Sequence, residues 1–194
     1  MKPILTSHTG NNSDLIAIIE KLYLKEKSVI ADVTYGKGNF WNGMDMDKFD
    51  FRPTDLMTGT DLGNLPYKDS EIDLLVLDPP YMHGGATIKK SINACYQNNN
   101  TSHASVIRLY TKGILEAARV LKQKGLILVK TQDEIESGKQ NFSHCELISM
   151  LTMLGFSIID LFVLTQKTVP AMREKYQKTA RKNHSYLIIA EFRK

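Results

Sequence analysis

The chain has 194 residues, 42% of them hydrophobic, and a net charge of +4, a composition and length that suit one globular domain, residues 1–194, with a full core. No repeat or low-complexity tract is present, no apolar run approaches the ~20 residues of a membrane span, and Met1 to His8 lacks the apolar stretch of a signal peptide, so a cytoplasmic protein is expected. Cys95 and Cys145 are isolated, which argues against a disulfide framework or a cysteine zinc site, and His8, His83, His103, His144 and His184 are scattered, so no metal is expected.

In chain order, Asn12 or Ser13 is placed to cap a helix whose Leu15, Ile16, Ile18, Ile19 and Leu22 face the core, ending near Lys25. Residues 28–33 form a short buried strand that runs into Thr34-Tyr35-Gly36-Lys37-Gly38-Asn39-Phe40-Trp41. Two glycines one residue apart let a backbone pass close to a ligand and aim its N–H groups there. Trp41 stands where a third glycine would complete a dinucleotide fingerprint, so the default reading of the glycines alone is a structural turn. A second strand, residues 49–55, is interrupted by Pro53 and ends on Asp55, about twenty residues after the glycine turn, where an acid holds a ribose. Asp61 comes next, near the end of an expected third strand, and together the two acids outline a pocket for an adenosine.

Residues 72–77, Ile-Asp-Leu-Leu-Val-Leu, then read as a buried parallel strand that must stop at Asp78, because Pro79 and Pro80 have no N–H for a neighbour. The bend Asp78-Pro79-Pro80-Tyr81 thus sets a carboxylate, a carbonyl and an aromatic ring at the carboxyl edge of a sheet. Beyond it lie the glycine-rich residues 82–87 and Lys89-Lys90. A helix is expected from Ser105 to Lys122, with Ile107, Tyr110, Ile114, Leu115, Ala118 and Leu121 inward and Gly125 stopping it before a strand over 126–130. A further helix spans about 142–154 and ends at Gly155. Strands at 157–164 and 185–192 have no convincing crossover helix between them, which suggests an antiparallel pair closing an α/β sheet.

The charge is concentrated. Residues 167–184 hold Lys167, Arg173, Lys175, Lys178, Arg181 and Lys182 against Glu174 alone, a net +5, while the rest of the chain is nearly neutral. That is the footprint of a surface meeting a phosphate backbone, or of a solvated loop.

Asp32 to Phe40, then Asp55, Asp61 and the DPPY bend, in that order, resemble the amino-methyltransferases that use S-adenosylmethionine, most closely the DNA N6-adenine methylases, and the likeness runs over nearly the whole chain. The resemblance implies a class I Rossmann-like α/β fold, with a mostly parallel seven-stranded sheet, an antiparallel last strand and helices on both faces. It also implies S-adenosylmethionine as cofactor, with Asp32, Thr34, Tyr35, Gly36, Gly38, Asn39 and Phe40 around its methionine part. Asp55 would sit at the ribose, Asp61 and Leu62 at the adenine, and Thr9 with Gly10 at the carboxylate. Trp41 departs from the small or polar residue commoner there and is expected to pack under the sheet.

An exocyclic amine on adenine is a poor nucleophile, because its lone pair is delocalised into the ring. Asp78 and the Pro79 carbonyl can each accept one of its N–H groups and free that lone pair for in-line attack, while Pro80 keeps the bend rigid and Tyr81 stacks on an extruded base. Residues 82–104 and 165–184 are the segments left for substrate recognition, with phosphate contacts through Lys89, Lys90, Arg173, Lys175, Lys178, Arg181 and Lys182. So small a reader points to a DNA target that is short or relaxed, to a homodimer, or to a specificity partner. An RNA methylase acting on adenine or the guanine amino group uses a similar motif, and a catalytically inactive donor-binding subunit or regulator is the reading of another class. The glutamine methylases carry Asn in place of Asp78, and a nicotinamide enzyme leaves the bend unexplained.

Overall fold

The computed structural model describes residues 3–82, 101–166, 180 and 182–193. Runs of β-branched and leucine side chains become β2 (Val29–Asp32), β4 (Ile72–Leu77), β5 (Leu121–Thr131), β8 (Phe156–Thr165) and β9 (His184–Phe192), with β1 (Ser7–Thr9) and β3 (Asp50–Pro53) at the two edges. They form one seven-stranded sheet in the order β1-β8-β9-β5-β4-β2-β3, in which β9 alone runs antiparallel to its neighbours. Pro53 is tolerated because β3 is an edge strand, where a missing N–H leaves no neighbour unpaired.

The sheet reaches seven strands by a different route from the one expected. Residues 59–65 form turns and an isolated Asp61–Asn64 bridge rather than a third strand, and the seventh place is taken by β1, which pairs with Val163–Thr165 on the far edge. The reason lies in composition: Thr58-Gly59-Thr60-Asp61-Leu62-Gly63-Asn64 has one apolar residue, and Leu62 buries itself against the core instead of pairing. Beyond β5 a second small sheet, β6 (Glu134–Glu136) with β7 (Lys139–Asn141), turns through Ser137 and Gly138, both at positive φ.

Helices cover both faces. On one lies α1 (Asn12–Tyr23), capped by Asn11 rather than Asn12 or Ser13: its side chain accepts from the Asp14 N–H at 2.9 Å while Asp14 accepts the Asn11 N–H at 3.1 Å. Its Leu15, Ile16 and Ile19 bury against Phe40, Trp41, Leu74 and Leu128, while Leu22, expected inward, is exposed. On the other face lie α2 (His103–Val120) and α3 (Ser143–Met153). The buried stripe of α2 is Val106, Tyr110, Ile114, Ala117 and Val120, rotated about one residue from the expected one, so that Leu115 faces solvent. Each fully buried aliphatic side chain contributes about 1.5–3 kcal/mol against exposure.

Gly125 does not stop α2, which ends on the Leu121 cap; it lies within β5, where the pairing with β4 shifts between Ile72 and Leu74. A Cβ at Gly125 would come within 2.8 Å of the Lys122 carbonyl oxygen, so only glycine lets the chain slip back into register there. Among the described residues no helix is long and apolar enough to cross a membrane.

Candidate active site at the carboxyl edge of the sheet

The six parallel strands all end at one edge, and the antiparallel β9 begins there. That edge therefore gathers Asp32 and the glycine turn after β2, Asp55 after β3, the bend after β4, Lys130 near the end of β5 and Ser185 at the start of β9. An open α/β sheet holds its ligands at this kind of edge.

Asp32 is buried and its carboxylate is held on both oxygens: the Thr34 N–H donates at 2.9 Å and the indole N–H of Trp41 at 2.6 Å. Trp41 packs under the sheet as expected, but it also fixes this acid. Burial pushes Asp32 up to about 6; the bonds from Trp41 and Thr34 pull against it, and the charge of Asp55 adds to the rise. Gly38 sits at φ +70°, and a Cβ there would meet the Tyr35 hydroxyl at 2.5 Å, so the turn needs glycine on both counts. The chain then makes one 3₁₀ turn, Asn39–Trp41, where a dinucleotide fold would begin a long helix. Phe40 is buried against the core beneath α1, and Asn39 is exposed.

Asp55 ties the second strand to the glycine turn. One carboxylate oxygen accepts the Gly36 N–H at 2.9 Å and the other caps Thr58, also at 2.9 Å. A carboxylate has about four acceptor positions, so these bonds leave lone pairs for a ligand hydroxyl. Asp61 is exposed and accepts the Gly63 N–H at 2.7 Å. Its loop is fastened to α2, where Glu116 accepts the Leu65 N–H at 2.8 Å and Arg119 donates to the Leu65 and Tyr67 carbonyls.

The bend stands directly beside the glycine turn. Asp32 is in register with Val76, which sets Thr34 opposite Asp78, and the Asp78 N–H donates to the Thr34 hydroxyl at 2.7 Å. Pro79 is buried; Asp78, Pro80 and Tyr81 are part-buried, with Tyr81 packed against the α2-side core. Burial pushes the Asp78 carboxyl up to about 7, with Lys130 lowering it and Asp32 raising it further.

Lys130 is the residue that the motifs do not reveal. Leu77 pairs with Val129, so Lys130 comes level with Asp78; it is 1% exposed, donates to the Ser185 hydroxyl at 2.5 Å, and lies 5.7 Å from the ring centre of Tyr81. Burial lowers its pKa and Asp78 opposes that. The available signal was a lysine closing an otherwise apolar strand, although lysine in such a place usually faces water. The same edge carries two histidine pins. His103 bonds Glu134 at 2.8 Å and Glu146 at 2.9 Å, joining the start of α2 to the hairpin and α3. His144 bonds the buried Asp133 at 2.6 Å and stacks on Tyr186 at 4.1 Å between centroids.

Thr9 ends β1 and Gly10 follows it, with four strands between them and β2 in the sheet order; Thr9 bonds the Thr165 hydroxyl at 2.7 Å and the Gly10 N–H donates to the Thr165 carbonyl at 3.2 Å. Of the residues expected to meet phosphate, Lys182 is described and is part-buried just before β9; Lys89, Lys90, Arg173, Lys175, Lys178 and Arg181 lie outside the described residues. Among the described residues no group of three or more His, Cys, Asp or Glu side chains is arranged to hold a metal ion.

No family model and no curated protein matches the chain. Solved structures do match, over almost its whole length. YcgJ of Bacillus subtilis superposes with a TM-score of 0.54 at 14% identity, over 95% of this chain and 100% of that one. A SAM-dependent methyltransferase of Aquifex aeolicus gives 0.53 at 13% identity over 92% and 89%, and one of Methanosarcina mazei gives 0.51 at 16% over 90% and 97%. At such identities the likeness establishes the fold: the chain has the class I, Rossmann-like α/β architecture of these proteins.

Proposed function

We propose that the chain transfers a methyl group from S-adenosylmethionine to the exocyclic N6 amino group of adenine in DNA. The observation that carries this reading is the bond from the Asp78 N–H to the Thr34 hydroxyl, which joins the glycine turn to the bend, so that a donor held at one and an amine held at the other share one edge.

The charges at that edge favour such a donor. Burial raises Asp32 and Asp78, the charge of Asp55 adds to the first and that of Asp32 to the second, and a ligand bearing an ammonium and a sulfonium offsets both effects. A dinucleotide pyrophosphate would add to the repulsion, and the three-residue turn after Gly38 offers no helix dipole to oppose it. Asp32, Thr34, Tyr35, Gly36, Gly38, Asn39 and Phe40 would surround the methionine part, Asp55 the ribose, and Asp61 and Leu62 the adenine; Thr9 and Gly10, expected at the carboxylate, stand at the far edge of the sheet and take no part in this assignment.

When bound, the donor supplies a methyl group on a positively charged sulfur, which departs as a neutral thioether. The chain's part is to prepare the acceptor. The Asp78 carboxylate and the Pro79 carbonyl accept the two amino N–H groups and turn the nitrogen lone pair outward. Asp78, titrating near neutrality, then takes the proton that the methylated amine gives up. Tyr81 supports the unstacked base, while Lys89, Lys90 and the basic residues from Arg173 to Lys182 hold the backbone.

The test is to incubate the protein with methyl-labelled donor and separately with DNA and RNA, then digest to nucleosides. Label in N6-methyldeoxyadenosine is expected; label in RNA nucleosides alone would overturn the DNA assignment, and label in neither would overturn the enzymatic reading. Asp78→Ala should lower transfer by about 100-fold or more while S-adenosylhomocysteine binding, followed by calorimetry, persists.

A further inference from the structure

Buried lysines seldom occur without a partner for the charge, because an ammonium taken out of water loses several kcal/mol of hydration. Lys130 is 1% exposed, and its ammonium donates to a neutral hydroxyl, that of Ser185, at 2.5 Å. Its other neighbours are electron-rich and belong to the bend: the Tyr81 ring at 5.7 Å, and Asp78, one position beyond the Leu77–Val129 pair, whose charge acts on it across the adjacent strands. Tyr110 fixes the backbone from the α2 side, its hydroxyl donating to the Lys130 carbonyl at 2.5 Å.

We propose that Lys130 is a positioning residue of the acceptor bend: its buried ammonium, anchored by Ser185 and lying over Tyr81, is the fixed counter-charge that keeps Asp78 a carboxylate and so an acceptor. This rests on the reading of the bend as an amine-binding element, although the pairing itself is a property of the fold. Among the described residues, the charged and titratable groups facing Asp78 are Lys130 from β5, Asp32 from β2 and the Tyr110 hydroxyl from α2, with Tyr81 on its own segment. Of these Lys130 alone is a cation. Without it, Asp78 would face Asp32 at low dielectric and hold a proton through neutrality. A protonated carboxyl presents an O–H to one side, the wrong polarity for gripping an amino group.

The test uses the whole chain labelled with ¹³C at the aspartate side chains and ¹⁵N at lysine Nζ. Asp78 is assigned by the signal lost in Asp78→Asn. In Lys130→Met, which keeps the length and removes the charge, the Asp78 midpoint should rise by about one unit or more. In the unaltered protein Lys130 should show an ammonium signal between pH 6 and 8. An unmoved Asp78 midpoint in the variant, or a neutral Lys130 amine in the unaltered protein, would overturn the proposal; the second measurement decides even where the variant does not fold. Where methyl transfer is measurable, the acid limb of its pH profile should shift upward with the midpoint. Absence of transfer by the unaltered protein would count against the proposed function, and the two titrations would still decide the role of Lys130.

Discussion

At the scale of single residues, the site depends on acids held out of water by donors that the motif does not contain. Trp41 is the clearest case. Its indole N–H is one of the bonds that let the buried Asp32 ionise, so Trp41→Phe should cost about 1–3 kcal/mol at pH 7.5, measured by urea unfolding. The loss should shrink as pH falls through about 6, where Asp32 takes up its proton. Asp78 supplies a second test. Its folded pKa of about 7 lies above the ordinary 3.8, so the native state holds a proton that the unfolded chain releases, and stability falls as pH rises through that window. Asp78→Asn removes this dependence, so its melting temperature should fall less than the parent's between pH 4 and 7.5. That Asp32, the glycines, Asp55 and Asp78 would share the carboxyl edge of the sheet was legible, since each lies at or just past the end of a strand that the sequence marks. Lys130 was not, because its place opposite Asp78 depends on strand register, nor was the indole bond, which depends on how the glycine turn folds Trp41 back onto Asp32.

At the scale of elements, the long apolar strands and the three helices of the described residues could be read directly, and the failures fall on short or polar pieces. β1 and the β6–β7 hairpin have three residues per strand, too few for alternation to rise above chance. The hairpin is held mainly by what it touches. Burial alone would lower the His103 pKa, but its bonds to Glu146 and Glu134 outweigh that and raise it. A raised histidine contributes stability that is complete below its ordinary pKa of 6.5 and is lost as pH rises through the folded value. His103→Ala should therefore cost about 1–3 kcal/mol at pH 6 and less at pH 9, most of it through the buried Glu134, since Glu146 is half exposed. Hydrogen exchange at the amides of residues 134–141 should quicken in the variant, because the pin joins that hairpin to α2.

At the scale of the whole molecule, the reading of an α/β sheet closed by an antiparallel pair matched the structure, whereas the seventh strand came from the opposite edge. Sheet order is a long-range property, and Ser7–Thr9 becomes a strand only because β8 is there to pair with it. The charge distribution yields a test of the same breadth. Replacing Arg173, Lys175 and Lys178 by alanine should weaken DNA binding across unrelated sequences and reduce the salt slope by about two to three, read from anisotropy titrations at several salt concentrations. The place of β9 has a consequence for how the molecule is made. It lies between β5 and β8, both translated before it, so until it emerges the sheet can exist only as a four-stranded part, β5-β4-β2-β3, and a two-stranded part, β1-β8, whose facing borders stay open. During that interval the incomplete protein offers two templates to any stray strand, and a chain truncated before residue 184 should yield aggregates rather than a smaller soluble product.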